Sequence, residues 1–291
     1  MKANVVLSVL ALCSATACFG EVEDRGDAEK RSEPARRTAA TLHRSISEEI
    51  KALGNHPWAG QYYFGDGLGV NVSLTLAPES GYLFEWHGCL GLYDRNYGAV
   101  TWKKDRLRLS FTFPNERKGF QGIAEEFIPV AWGDRKYLIP ANDIVRFCNR
   151  VNDGFEPRKG MHGFYLLRDG DEKKEVKGFP SVPEEFRPYL LARPIEAKII
   201  SVGQSTTHPS VCDWKFKLTP VTLNCGKNKG LLKGMELHVV DPEDVVESVE
   251  VTKVGAETSE ATMTQIGENQ AGPRNGWRLS TRFRWHPDQS P

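Results

Sequence analysis

The sequence predicts a mainly β protein with a few helices: an antiparallel sheet or barrel-like N-terminal domain, then a small β-barrel or sandwich domain. Three observations lead there. Apolar and polar residues alternate through most of the body, turn residues separate the alternating runs, and only a few stretches carry helical spacing. Successive side chains of a strand point to opposite faces, so alternation marks sheet with one buried face.

In chain order, the first periodic element is a helix over 41–53. Leu42, Ile46, Ile50 and Leu53 share one face, Ser45 and Glu48 suit a capping box, and Gly54 suits the end. From Trp58 the period changes to two. Val70, Val72, Leu74 and Leu76 form one run, Tyr82, Phe84 and Trp86 a second, and Leu107, Leu109, Phe111 and Phe113 a third. Asp66-Gly67 is a turn between the first runs. Val130–Trp132 and Phe164–Leu167 are further strands, and residues 142–151 and 183–191 are helical interruptions. Pro188 and Pro194 mark a boundary. Beyond it, 197–202, 216–223, 236–240, 245–254, 260–266 and 277–283 supply strands for the second domain.

The N-terminus carries an export signal. Lys2 precedes the apolar run Val5–Leu12, and small residues Ser14–Ala17 follow. That run is shorter than the roughly 20 residues a bilayer requires, and no later stretch approaches that length. Residues 21–40 carry 5 basic and 6 acidic groups and no large apolar residue after Val22, the composition of a solvated tether. The expected organisation is a signal peptide over 1–20, a disordered linker over 21–40, a β-rich domain with an N-terminal helix over 41–194, a small β domain over 195–285, and a tail over 286–291.

Lys+Arg and Asp+Glu are both 38, and each part of the chain is near neutral. A nucleic-acid binder carries a basic domain that displaces counterions from phosphate, so nucleic acid is not an expected partner. The mature chain has Cys89, Cys148, Cys212 and Cys225. Four cysteines in an exported protein suggest disulfides with three conceivable pairings, and the domain division favours Cys89–Cys148 and Cys212–Cys225.

Ala15-Thr16-Ala17-Cys18 resembles the lipobox of bacterial lipoproteins, which implies a lipid on Cys18 and anchoring without a span. That family prefers Leu where this chain has Ala15, and Ala15-x-Ala17 also suits ordinary signal peptidase, so both exits stay open. Trp58-Ala59-Gly60-Gln61-Tyr62-Tyr63 ahead of alternating strands resembles the start of a lipocalin-type barrel, where an early Trp closes the floor. Asn224-Cys225-Gly226, Gly230-Leu231 and Gly234-Met235 are similar to turns in small β-modules of bacterial envelope proteins, the cell-shape scaffold proteins among them. That resemblance implies scaffolding or protein contact.

The candidate binding residues are Trp58, Tyr62, Tyr82 and Trp86, from an aromatic-rich stretch reaching Trp102, with Glu85, His87, Asp94 and Arg135. Aromatic faces on a sheet stack on sugar rings or line apolar pockets. Glu85 and His87 share a strand face, and a carboxylate beside an imidazole suits acid–base work. Arg135 belongs with Asn149, Asn152, Asp153, Glu156 and Arg158 to polar segments that suit a recognition loop. No phosphate loop, nucleophile elbow or His-Glu-x-x-His pair is present, and the 7 scattered histidines form no metal motif. No cofactor, metal or catalytic residue is assigned. The expected function is a noncatalytic exported envelope protein, periplasmic, outer-membrane-anchored or extracellular, that binds another protein or a cell-wall component. The alternatives are a small-ligand or carbohydrate binder using the N-terminal aromatics, and a secreted hydrolase.

Overall fold

The structure is a computed structural model and describes residues 29–65, 69–117, 120–154, 165–209, 215–266 and 271–283. The expected signal peptide, Cys18, Cys212, Glu156, Arg158, the Asp66-Gly67 turn and the C-terminal tail lie outside the described residues. The chain is mainly β and divides into two compact units.

The first unit, with described residues within 29–144 and 165–184, opens with helix α1 (Glu33–Leu53). The helix starts inside the segment expected to be an unstructured tether. Ser32 caps it, its hydroxyl accepting from the Ala35 N–H, and Pro34 stands in the first turn, where its missing N–H costs nothing. Ala39 and Ile46 bury against Ala77 and Leu83 of the sheet. Ala35 and Ala39 are too small to register as an apolar stripe, which hid this half of the helix in the sequence.

The sheet has nine strands: β1 (Gly60–Gly65), β2 (Val70–Ala77), β3 (Gly81–Gly88), β4 (Gly91–Gly98), β5 (Val100–Lys103), β6 (Arg106–Leu109), β9 (Glu126–Trp132), β10 (Arg135–Pro140) and β11 (Leu166–Arg168). A separate two-stranded hairpin comprises β7 (Glu116–Arg117) and β8 (Phe120–Gln121). The order β4-β3-β2-β1-β11-β10-β9-β6-β5 is antiparallel throughout. The two ends of that order are consecutive in the chain. β4 pairs with β3, the chain bends at Gly98-Ala99, and β5 pairs with β6, so one bent run nearly closes the sheet into a barrel. A Cβ on Gly98 would sit 1.9 Å from the Ser110 carbonyl oxygen, so the close approach at this bend requires glycine. Beyond Leu109 the expected strand through Phe113 gives way to a segment held by the Asn96 side chain. The Asn96 Nδ2 donates to the Phe113 carbonyl (2.9 Å), and Oδ1 accepts from the N–H groups of Thr112 (3.1 Å) and Phe113 (3.2 Å). Tyr62, Leu74, Leu76, Phe84, Leu107 and Phe127 fill the interior.

The second unit, with described residues within 145–154 and 185–283, holds β12 (Glu196–Val202), β13 (Thr206–Pro209), β14 (Lys215–Leu223), β15 (Glu236–Asp241), β16 (Ser248–Val254), β17 (Ser259–Ile266) and β18 (Arg278–Ser280). Six of them form a closed antiparallel barrel, β12-β18-β15-β16-β17-β14 and back to β12, with β13 added outside on β14. Burial in β17 alternates as the sequence predicts, with Ala261 and Met263 inside. Helix α2 (Ile144–Asp153) was expected within the first domain, yet from Val145 it belongs to this unit. It is fixed by Asn149 donating to the Gly234 carbonyl (2.9 Å) and Asn152 donating to the Tyr189 carbonyl (2.8 Å). The expected helix at 183–191 is a short 3-10 segment, Glu184–Tyr189.

No disulfide joins the expected pairs among the described residues. Cys89 is exposed at the tip between β3 and β4, whereas Cys148 is buried on α2, so the first pair is not formed. Cys225 is a buried thiol in the core of the second barrel. Burial pushes the Cys148 thiol up to about 12 and raises that of Cys225, so both stay protonated at neutral pH and act as small apolar side chains. No helix among the described residues is long and apolar enough to cross a membrane.

Candidate functional site

The site begins in the short passage from α1 to β1. Gly54 ends the helix, and the chain turns through Asn55 and His56. The His56 Nδ1 accepts from the N–H of Ala59 (3.0 Å) and of Trp58 (3.4 Å), which sets the angle at which β1 enters the sheet. The imidazole meets the Trp58 ring edge-on, with centroids 4.9 Å apart. Trp58 is buried, and its carbonyl accepts the Tyr62 hydroxyl at 2.8 Å. Trp102 of β5 stacks on Trp58 with centroids 6.2 Å apart and an interplanar angle of 19°. It remains 49% exposed. A buried indole thus supports a solvent-facing one.

Two cations converge on the backbone of His56, whose ring meets Trp58. The Lys136 Nζ donates to the His56 carbonyl (2.9 Å) and to the Asn55 Oδ1 (2.6 Å), and the Arg168 Nη1 donates to the same carbonyl (3.3 Å). Burial first, then repulsion by Lys136 and Arg168, hold the His56 imidazole below the ordinary histidine value, with Glu49 opposing weakly. The unfolded chain therefore takes up this proton first as pH falls through about 6.5. The stability that His56 confers is present above that pH and is lost on acidification through its lowered folded value. Chemical denaturation of wild type and His56→Asn, which keeps an acceptor but does not titrate, is expected to show a stability gap that changes between pH 7.5 and 5. Parallel pH profiles would contradict this.

The structure separates the residues expected to bind. Tyr62 and Tyr82 are fully buried, and Trp86 lies in the interior edge-on to Tyr93 at 5.7 Å. Burial raises both tyrosine hydroxyls far above the ordinary range. These three aromatics are core, and Trp58, also buried, backs the half-exposed Trp102. Glu85 and His87 come together, and Asp94 is held apart from them by its own partners. Glu85 accepts from the Arg95 Nε (2.9 Å) and Nη2 (2.7 Å), and His87 Nε2 lies 3.8 Å from its second oxygen. Buried Asp94 receives the Lys30 ammonium at 2.9 Å and the Arg95 N–H at 2.9 Å. The carboxylates are thus engaged in an ion network beneath α1, where Arg95 also donates to the Lys30 carbonyl. Arg135, on β10, is fully buried and donates to the Glu172 carbonyl at 3.3 Å. It serves the packing of residues 171–182 on the sheet, together with Trp132, whose indole N–H donates to the Gly178 carbonyl at 2.7 Å.

A second buried pair lies wholly within the second unit. Asp153 at the end of α2 meets His238 of β15, Oδ1 to Nε2 at 2.8 Å, and the Arg150 guanidinium lies 3.3 Å from Oδ2. Burial raises the Asp153 carboxyl despite the attraction of His238. Phe283 covers the imidazole edge-on at 5.2 Å. This sealed pair fastens a helix to a barrel. The two residues are 85 apart in sequence, and no local pattern announces them. Among the described residues, no group of three or more His, Cys, Asp or Glu side chains is placed to hold a metal.

Comparison with family models, with curated proteins and with solved structures finds no match.

Proposed function

We propose that this chain is a noncatalytic exported binding protein of the cell envelope, and that it holds a glycan of the cell wall on the Trp58–Trp102 shelf. The observation that carries this is the half-exposed Trp102 indole supported from behind by a buried, parallel one. A sugar ring presents an apolar C–H face that packs on such a surface, and a rigid, pre-placed indole spends little entropy in receiving it. The engagement of Glu85 by Arg95 and of Asp94 by Lys30 favours binding over hydrolysis, since an acid–base pair needs one carboxyl available to the scissile bond.

Co-sedimentation with insoluble peptidoglycan, chitin and cellulose tests the proposal. At least one polymer is expected to deplete wild-type protein from solution. Trp102→Ala is expected to weaken that retention by about thirtyfold, the effect of losing a tryptophan anchor of roughly 2 kcal/mol. Its thermal unfolding should stay near wild type, because the indole is half exposed. Equal retention of both proteins would refute the shelf as the binding surface.

A further inference from the structure

We infer that Lys136 and Arg168 form an anion site beside the aromatic shelf, and that it takes the carboxylate or phosphate of an acidic glycan. The inference rests on the proposed glycan binding for its ligand, but its evidence is separate. Two half-buried cations converge on one acceptor, the His56 carbonyl, at 2.9 and 3.3 Å. Among the described residues neither has a carboxylate within salt-bridge distance. Asp171, the acid that acts on Lys136, is already engaged: Oδ2 accepts the Lys136 backbone N–H at 2.9 Å, and Oδ1 holds Lys174 at 2.5 Å. Lys136 and Arg168 repel one another, and both repel a proton on His56. Asp171 opposes this repulsion at Lys136 but is shared with Lys174, so the cluster keeps more positive than negative charge and leaves a place for an anion.

The arrangement is also built. Arg168 stands opposite Tyr62 across the β1–β11 ladder, and its guanidinium lies over Gly60. A Cβ there would fall 2.8 Å from Nε, 3.2 Å from Cζ and 3.3 Å from Nη2, so the missing side chain is what lets the guanidinium lie flat. A planar fork held in that way presents its remaining N–H groups to an oxyanion, and the Lys136 ammonium adds a point charge beside it. His56 contacts Trp58, which supports Trp102, so the charge site and the stacking site share one framework.

The test uses the full chain and three probes: inorganic phosphate, a glucuronic acid–N-acetylglucosamine tetrasaccharide, and a neutral N-acetylglucosamine tetrasaccharide. Phosphate is expected to raise the melting temperature above that in sodium chloride of equal ionic strength, and Lys136→Gln or Arg168→Gln should abolish the difference. The acidic sugar is expected to bind about tenfold tighter than the neutral one, as for a charge-assisted contact of about 1.4 kcal/mol. The cation variants should remove that preference alone, while Trp102→Ala weakens both sugars. Gly60→Ala keeps both charges, displaces the guanidinium and should also remove the preference, which separates site geometry from any loss of folding. Phosphate stabilisation with no sugar binding would support the anion site and overturn the glycan reading. Phosphate indistinguishable from chloride, with acidic and neutral sugars bound equally, would overturn the anion site and leave the shelf standing.

Discussion

Asn96→Ala is expected to destabilise the first unit by roughly 3 kcal/mol, by leaving backbone groups of a buried seam without partners. Asn96 is fully buried and stands opposite Phe84, facing the barrel interior. Its amide is the buried side-chain link between β4 and residues 112–113, donating to one carbonyl and accepting from two N–H groups there, while Thr112 adds bonds to the Tyr97 carbonyl at the exposed edge. The Thr112 N–H is shared with the Tyr97 carbonyl at 3.1 Å. Alanine removes these three buried bonds without adding bulk, so the seam loosens rather than overpacks. Urea denaturation followed by near-ultraviolet circular dichroism reads the loss as a lower midpoint at unchanged slope. Thr101→Ala, on the exposed side of β5, should cost under about 0.5 kcal/mol in the same assay. Equal midpoints for the two variants would show that the seam does not depend on Asn96.

Asp153→Ala is expected to cost the second unit about 3 kcal/mol, the usual loss when one member of a buried, bonded pair is removed. It leaves the His238 Nε2 without its hydrogen-bond partner at a position only 7% exposed. Asp153→Asn keeps an oxygen in place and should cost less than about 1 kcal/mol. Burial already disfavours charge on this carboxyl, so a neutral amide gives up little. The raised carboxyl has a pH consequence as well. Its contribution to stability is complete below the ordinary aspartate value and declines as pH rises through the higher folded one, and Asp153→Asn should remove that slope. Because desolvation opposes the pair, Asp153→Leu combined with His238→Phe should recover much of the stability lost by the single alanine variant. A double variant as unstable as the sum of its parts would contradict that.

Where one face of a strand is buried and the other is wet, the sequence already shows the strand. Ser259–Ile266 follows its alternation into the second barrel, whereas Val70–Ala77 is a strand whose last four residues are all buried, Ala77 against Ala39 and Ile46 of α1. β4 was not visible in that way. Asp94, Arg95 and Asn96 are all buried, because the interior covers one face and α1 with Lys30 covers the other, so polarity there reports bonding rather than exposure. The start of α1 was hidden by the opposite effect, since its charged outer face outweighs two buried alanines. Of the site, Trp58 was legible as an early aromatic just ahead of β1. Its pairing with Trp102, and the meeting of Lys136 with Arg168 on the His56 carbonyl, are tertiary facts. They join residues far apart in the chain, and nothing local encodes them.

Indole 15N–1H resonances read the shelf directly. With the Trp102 signal assigned by its absence in Trp102→Ala, soluble wall oligosaccharides are titrated into the full chain. Saturable movement of the Trp102 signal, with the buried Trp86 signal unmoved, is expected. A ligand that binds while the Trp102 resonance stays fixed would place recognition elsewhere and end the case for this surface.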